Sequence, residues 1–175
     1  MEELIKKAKN GDEEAFTQLI VSMEQDLYKI AKMRLNCEED INDAVQETII
    51  ETFKSLPKIK QPQYFKTWII KVLINKCNKI YKHSNKKHFV EYNEQINTNY
   101  VTNDNNIEEI DFFLLIKKLN YKERITLILY YHENLTTKEI AKILKEPGST
   151  VRNRISRTKA KLKKYIMKEN CNGRN

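Results

Sequence analysis

The stretch LTTKEIAKILKEPGSTVRNRISRTKAKLKK, from Leu135 to Lys164, joins an apolar segment to a strongly basic one across a Pro-Gly-Ser turn. Apolar residues recur at helical spacing in its first part, and Thr136 with Glu139 forms a capping-box pattern, which predicts a helix over 137–145. The turn ends this helix, and a second helix is predicted from about 150 to 168. Its inward face would be formed by Val151, Ile155, Thr158, Leu162 and Ile166.

Two helices joined by a tight turn, of which the second is basic, are typical of a helix-turn-helix. An α-helix fits the major groove of B-DNA, where Arg can read guanine and Asn suits adenine, while lysines contact phosphates. The alternative is a solvated basic helix, but the capping box, the turn and an inward Val151 together favour DNA binding. The predicted contacts to duplex DNA are Thr150, Arg152, Asn153, Arg154, Ser156, Arg157, Lys159 and Lys161.

Composition and charge place this motif in a helical, striped protein. The 175 residues include three Gly and three Pro, so the chain contains few helix breakers. The formal net charge is +8, but acids and bases are segregated. Residues 38–51 contain acids and no base, whereas residues 54–88 contain lysines and neither Asp nor Glu. Two separate cationic segments, 54–88 and 142–168, suggest two contacts with one long polyanion.

The N-terminal half is predicted to be a bundle of helices over 2–9, 12–35, 38–55 and 64–83. Asn10 or Asp12 can cap the second helix, and Pro57 ends the third, so that 58–63 is a loop. The apolar stripe of the third helix is Ile41, Ala44, Val45, Thr48, Ile49, Thr52, Phe53 and Leu56. The inward residues of the fourth are Phe65, Trp68, Ile69, Val72, Leu73 and Ile80.

The periodicity fails from Ser84 to Asn106, where Asn-rich sequence favours turns and disorder. Further helices are predicted over 107–119 and 121–133. The sequence therefore predicts an all-α fold of two small helical domains joined by a flexible linker, the second domain being the helix-turn-helix. The predicted divisions are an N-terminal domain over 1–84, a linker over 85–106, a C-terminal domain over 107–170 and a tail over 171–175.

Three motifs in series resemble those of bacterial sigma factors of the ECF (extracytoplasmic function) group. The helix-turn-helix is similar to their C-terminal domain, and EEDINDAVQETIIETF resembles their polymerase-binding helix, with a D-x-x-Q-E element at Asp43, Gln46 and Glu47. YFKTWIIKVLINKCNKIYK is similar to their F-x-x-W-L-x-x-I-A-x-N helix through Phe65, Trp68 and Asn75. The resemblance covers nearly the whole chain, in order.

The resemblance implies that the acidic face of helix 38–55 docks on the clamp coiled coil of the largest subunits of core RNA polymerase. Complementary charge adds register and association rate to such a contact. The alternative is a solvated acidic surface. The predicted polymerase contacts are Asp40, Asp43, Gln46, Glu47 and Glu51.

The resemblance also implies that the lysine-rich helix and loop 59–63 hold the minus-ten promoter element as it melts, while the helix-turn-helix holds the minus-thirty-five element. Charge and stacking can hold single strands, and unpaired bases can turn out into a pocket. Trp68 and Phe65 could stack on bases, but their spacing favours the core. The predicted downstream contacts are Lys60, Gln61, Gln63, Lys71, Asn75, Asn78, Lys79 and Lys82.

The turn departs from the family pattern L-G-I-P-x-G-T-V. Lys145 stands where the family has a turn glycine, and Glu146 where it has an apolar residue. The shape of this turn, and hence the angle of the recognition helix, is left open by the sequence.

No catalytic motif, glycine-rich phosphate loop or metal-ligand spacing is present, so no enzyme activity, catalytic residue, cofactor or metal site is expected. The three cysteines are far apart, and no long apolar run predicts membrane insertion. The expected protein is a cytoplasmic initiation factor, monomeric when free, with core RNA polymerase, promoter DNA and an anti-sigma factor as partners. The rivals are a dimeric repressor or activator, a single-stranded DNA-binding module and a nuclease.

Overall fold

A computed structural model of the chain describes residues 1–87, 116 and 118–172. The chain divides into two compact units, residues 1–93 and 94–175. The described residues are helical and contain no strand, which confirms the all-α prediction. None of the described helices has an apolar stretch that could cross a membrane.

The described part of the first unit, residues 1–87, contains four α-helices: α1 (Glu2–Lys9), α2 (Glu13–Lys32), α3 (Glu38–Ser55) and α4 (Phe65–Lys87). Two short 3-10 helices, Leu56–Lys58 and Pro62–Tyr64, lie between α3 and α4. The predicted bounds of α1 and α3 are confirmed. The second helix ends three residues before the predicted position 35, and α4 continues four residues past the predicted position 83.

The core of the first unit lies among α2, α3 and α4. It includes Leu19, Leu27, Ile41, Phe65 and Leu73, each almost fully buried. Buried hydroxyls are satisfied locally, because Thr48 and Thr52 donate to the carbonyls of Ala44 and Thr48, each over 2.7 Å. Close packing of apolar side chains thus fixes which faces of α3 and α4 remain in solvent.

Two apolar residues that the sequence placed inward are exposed. Phe53 is 56% exposed and packs edge-to-face against Phe16 at the rim of the first unit, with ring centroids 5.2 Å apart. In the last helix, Ile166 is 46% exposed. These two predictions were wrong, because a regular apolar spacing continues past the area that neighbouring helices can cover.

The second unit contains α5 (Tyr121–Leu127), which continues as a π-helical turn over Ile128–His132, then α6 (Thr137–Leu144) and α7 (Gly148–Asn172). Capping boxes start α5 and α6: Asn120 pairs with Glu123, and Thr136 pairs with Glu139 as predicted. Helix α7 packs on α5 and α6 through Val151 and Ile155. With seven and eight residues, α5 and α6 are too short to cover the 25 residues of α7.

Several predicted segments lie wholly or partly outside the described residues. Of the helix predicted over 107–119, the structure describes residues 116, 118 and 119, and of the linker predicted over 85–106 it describes residues 85–87. Residues 85–87 belong to α4 and residues 171–172 of the predicted tail belong to α7. The predicted domain boundaries stay predictions.

Among the cysteines, Cys37 is exposed at the start of α3 and Cys77 is buried in α4. Burial raises the pKa of Cys77 to about 12. Its thiol is therefore protonated at neutral pH and is a packing group.

Candidate nucleic-acid and protein interfaces

The acidic face of α3 presents the predicted polymerase contacts on one side of a single helix. Asp43, Gln46 and Glu47 are exposed, and Asp40 and Glu51 are half-buried. Glu47 pairs with Lys76 of α4 across 3.2 Å. Three acids in the first turn of α3 lie where the helix dipole favours negative charge. The structure thus brings all five predicted residues onto α3 and ties one of them to the basic helix.

Exposed apolar side chains extend this face, which the sequence analysis missed. Ile50 is 53% exposed and follows Gln46 by one helical turn, and the exposed Phe53 follows Ile50 by three residues. The signal was present in the sequence, since positions 43, 46, 47, 50 and 53 share one face of a helix. An apolar patch beside charged residues is typical of a protein contact surface.

A pocket of about 710 Å³ opens between α3, α4 and the loop that joins them. Its lining combines an aromatic wall with charged and amide groups. The lining residues are Glu51, Ser55, Lys58, Ile59, Lys60, Gln61, Trp68 and Val72.

Trp68 and Phe65 behave differently in this structure. Phe65 is fully buried, as the spacing predicted. Trp68 is half-buried and forms part of the pocket wall, with its ring centroid 6.1 Å from that of Phe65. Trp68 therefore lies at the edge of the core, where an aromatic ring contributes to the lining of the pocket.

The predicted downstream contacts lie at two places. Lys60 and Gln61 line the pocket, and Gln63 is exposed on the following 3-10 helix. The remaining predicted contacts lie on α4 outside the pocket lining, at helical spacing along one stripe. Of these, Asn75, Lys79 and Lys82 are exposed, and Lys71 and Asn78 are half-buried.

Most predicted contacts of the recognition helix α7 face solvent. Thr150, Arg152, Asn153, Ser156, Arg157 and Lys159 are exposed. Lys161 is half-buried and pairs with Glu123 of α5 across 3.0 Å. Arg154 departs further from the expected role, because its side chain is 14% exposed and turned into the unit.

The guanidinium of Arg154 connects three parts of the second unit. Its Nη2 lies 2.5 Å from a carboxylate oxygen of Glu146 in the turn, and its Nη1 donates to the Thr126 hydroxyl of α5 over 3.2 Å. Glu146 also accepts from Lys122, at 3.1 Å. Burial favours the neutral form of Glu146, but the hydrogen bonds from Arg154 and Lys122 outweigh it, so the pKa of Glu146 is lowered.

The structure of the turn shows how Lys145 and Glu146 take the places of the glycine and the apolar residue of the family pattern. Lys145 has φ 56° and ψ 46°, the left-handed conformation in which helices commonly place a glycine after their last turn. Glu146 occupies the apolar position with a carboxylate held by two cations. The sharp turn is therefore kept, but its side chains hold it by charge where the family has an apolar residue.

A pair of exposed tyrosines lies beside α7, which the sequence analysis also missed. Tyr130 and Tyr131 are 36% and 43% exposed, with ring centroids 4.9 Å apart. The ammonium of Lys159 lies 5.7 Å from the centroid of the Tyr131 ring, and its interaction with Tyr131 raises the pKa of Lys159.

Two family models match the chain in succession. The model of sigma-70 region 2 matches residues 19–86, and the model of sigma-70 region 4 matches residues 115–164. The first match contains α3, the pocket and all of α4 except its last residue, and the second contains α5, α6 and most of α7.

Curated relatives are similar over nearly their whole length. RNA polymerase sigma factor SigV of Bacillus subtilis is 27% identical over 150 residues, covering 86% of this chain and 90% of that protein. The ECF RNA polymerase sigma factor SigW of the same organism is 23% identical, covering 93% of this chain and 94% of that protein.

Solved structures share the fold. The sigma factor RpoE of Bartonella quintana, crystallised with the anti-sigma factor NepR, has a TM-score of 0.66 at 18% identity, covering 87% of this chain and 96% of that one. CnrH, solved in complex with the cytosolic domain of CnrY, has a TM-score of 0.65 at 22% identity, covering 94% of this chain and 96% of that one.

Proposed function

Because this chain belongs to the sigma-70 family, as a sigma factor of the ECF group, we propose that it binds core RNA polymerase and directs initiation at specific promoters. The observation that carries this proposal is the coincidence of each matched region with an exposed surface of the appropriate chemistry. Region 2 carries the acidic face of α3 and the pocket, and region 4 carries the basic outer face of α7. Such a protein is an initiation factor, and the polymerase catalyses RNA synthesis.

The acidic face of α3 docks on a basic surface of the core enzyme. Asp40, Asp43, Gln46, Glu47 and Glu51 supply charge and register, while Ile50 and Phe53 supply apolar area. Charge steers the encounter and apolar burial slows dissociation.

The second unit holds the minus-thirty-five element as duplex. Arg152, Asn153, Ser156 and Arg157 lie on the exposed side of the first half of α7, where side chains reach base edges in the major groove. Lys159 neutralises phosphate. Arg154 and Lys161 are bonded to Glu146 and Glu123, and they hold α7 in place.

The first unit takes the minus-ten element as it melts. An unpaired base enters the pocket beside Trp68, where Lys60 and Gln61 offer donors. The exposed Asn75, Lys79 and Lys82 follow the strand along α4. Core polymerase holds the two units at a fixed separation, so two weak contacts act together through effective concentration.

Regulation by an anti-sigma factor is part of the proposal. It is supported by the solved relative RpoE, whose structure contains the anti-sigma factor NepR. We propose that the protein acts in the cytoplasm. We also propose that it is a monomer when free, because its docking surface must be open to core polymerase.

Reconstituted transcription tests the proposal. Purified core polymerase with this chain should start RNA at a defined set of promoters, mapped by sequencing 5′ ends. Asp43→Lys should abolish core binding and initiation, while Glu24→Lys, an equal charge change at an exposed position of α2, should not. Normal core binding by the Asp43→Lys variant would contradict the role of α3.

A repressor or activator makes the opposite prediction, since such a protein would dimerise on a palindromic site and hold it tightly without polymerase. Duplex binding by the isolated chain, with no effect on start sites, would favour that alternative.

A further inference from the structure

The loop that borders the pocket is tied to the N-terminal helix. Lys9 is the last residue of α1, and its ammonium donates a hydrogen bond of 2.5 Å to the backbone carbonyl of Ile59. Ile59 lines the pocket together with its neighbours Lys60 and Gln61. Helix α1 lies before residue 19, where the match to region 2 begins.

The other backbone bonds of this segment are local. The N–H of Ile59 donates to the carbonyl of Leu56 over 3.1 Å, and that of Tyr64 donates to the carbonyl of Gln61 over 3.1 Å. These bonds shape the two short 3-10 helices, but they do not fix where residues 59–61 lie against α3 and α4. The bond from Lys9 spans 50 positions of sequence and supplies that fixed point.

The Lys9 bond is suited to holding a backbone position. A charged donor makes a stronger hydrogen bond than a neutral one, and the half-buried position of Lys9 limits competition from water. Helix α1 has its own anchors, because Ile5 and Ala8 are buried. Loss of the ammonium would therefore free the loop while α1 stays packed.

We propose that Lys9 is a positioning residue for the downstream-element pocket, and that α1 thereby takes part in promoter selectivity. The proposal rests on the proposed function, in which an unpaired base enters this pocket. By fixing the carbonyl of Ile59, Lys9 sets the positions of Lys60 and Gln61 against Trp68. A base that fits this arrangement is favoured over the other three because the polar groups need not rearrange.

The test uses the full chain with core polymerase and a promoter library randomised over the downstream element. Lys9→Met keeps the length of the side chain and removes the donor. We expect the ratio of initiation between the preferred base and the others to fall by about fivefold at one position, because a well-placed polar contact discriminates by about tenfold or more. Core affinity and the upstream preference should be unchanged.

Two matched variants separate the bond from general effects. Lys6→Met removes an equal charge from an exposed position of α1 and should keep the wild-type preference, as should Lys9→Arg, which retains a donor. An unchanged downstream profile in Lys9→Met would overturn the proposal, as would an equal change in Lys6→Met. Failure of the wild-type chain to initiate would instead overturn the proposed function.

Hydrogen exchange provides a reading that does not depend on transcription. In the free chain, amides of residues 59–64 should exchange about tenfold faster in Lys9→Met than in wild type, while amides of α2 and α3 should be unchanged. Equal exchange in residues 59–64 would show that Lys9 does not hold the loop and would overturn the proposal. General acceleration in Lys9→Met with wild-type exchange in Lys9→Arg would instead assign Lys9 to the stability of the unit.

Discussion

At the scale of single residues, the turn before α7 depends on two side chains that the family pattern does not contain. Lys145 holds a left-handed backbone conformation, with φ 56°, which an L-residue adopts at a cost of about 1 kcal/mol or more. Glu146 offsets part of this cost by pairing with Arg154 and Lys122. Strain and ion pairing thus meet in one turn that sets the angle of the recognition helix.

Lys145→Gly is expected to stabilise the second unit by about 0.5–1 kcal/mol. Glycine removes the left-handed penalty, although its larger unfolded-state entropy takes back part of the gain. Lys142→Gly, within α6, should instead destabilise the unit by about 1 kcal/mol. Urea unfolding, monitored through hydrogen exchange of the amides in α5 to α7, would measure the free energy of unfolding of both variants. A loss of stability in Lys145→Gly would contradict the assigned strain.

Arg154 is expected to act as a structural brace. Arg154→Ala should lower the stability of the second unit by about 2–3 kcal/mol, because it leaves Glu146 as a largely buried charge with one fewer partner. A double-mutant cycle with Glu146→Ala should give a coupling energy of about 1–2 kcal/mol. Arg152→Ala, at an exposed position, should leave stability unchanged and alter base preference. Wild-type stability of Arg154→Ala with altered preference at one base pair would make Arg154 a base contact.

The stability that the Glu146–Arg154 pair contributes is expected to fall as the solution becomes acidic. The pKa of Glu146 is lowered in the folded chain from its ordinary value of 4.5. A depressed carboxyl pKa contributes stability that is present above the unfolded value and is lost as the pH falls through the folded value. The stability difference between wild type and Glu146→Gln should therefore be constant above about pH 5.5 and shrink in more acidic solution. A difference that grows on acidification would contradict the ion pairing.

At the scale of secondary-structure elements, helix bounds could be predicted well from local sequence signals. Which helix faces are exposed depends instead on how neighbouring helices pack. The start of α2 followed from the capping residue Asp12, whose side chain accepts the Ala15 amide over 2.9 Å. The end of α3 followed from Pro57. Apolar spacing could not show that Phe53 and Ile166 lie outside the core, because exposure depends on where a neighbouring helix ends.

The candidate sites follow the same division. The acidic face of α3 and the basic outer face of α7 were predictable, because helical periodicity assigns residues to faces. The inward orientation of the Arg154 side chain was not predictable, since it depends on Glu146 and Thr126, which lie 8 and 28 positions away. The pocket beside Trp68 also required the path of a loop, which one sequence does not specify.

The apolar part of the α3 face is expected to contribute to polymerase binding. Ile50→Ala should weaken core binding by about tenfold, because a half-exposed apolar side chain loses about 1–1.5 kcal/mol of burial at an interface. The stability of the free chain should change by less than about 0.5 kcal/mol. Val21→Ala removes a similarly exposed side chain from α2 and is the control. Equal core affinities of the two variants, measured by fluorescence anisotropy, would remove Ile50 from the interface.

At the scale of the whole molecule, the proposed function combines two cationic surfaces, which bind promoter DNA, with one acidic surface, which binds core polymerase. In the proposed function, the cations of α4 and α7 bind the same DNA molecule, so the affinity of the promoter complex should depend on all of them and on salt. The proposed base contacts on the exposed side of α7 should decide which sequence is bound. We therefore expect different side chains of one helix to determine affinity and selectivity, and variants can separate the two.

Lys159→Gln is expected to weaken binding of polymerase with this chain to all promoters alike. One lost phosphate contact should reduce the slope of log affinity against log salt by about one, while the sequence profile is unchanged. Arg152→Ala should leave most of the salt slope in place and relax preference at one base pair of the upstream element, by about 1–3 kcal/mol. Because the two residues lie two turns apart on the same exposed side of α7, both comparisons use one fold and one docking geometry. A sequence-dependent loss in Lys159→Gln, or a uniform loss in Arg152→Ala, would mean that the recognition helix enters the groove at a different register.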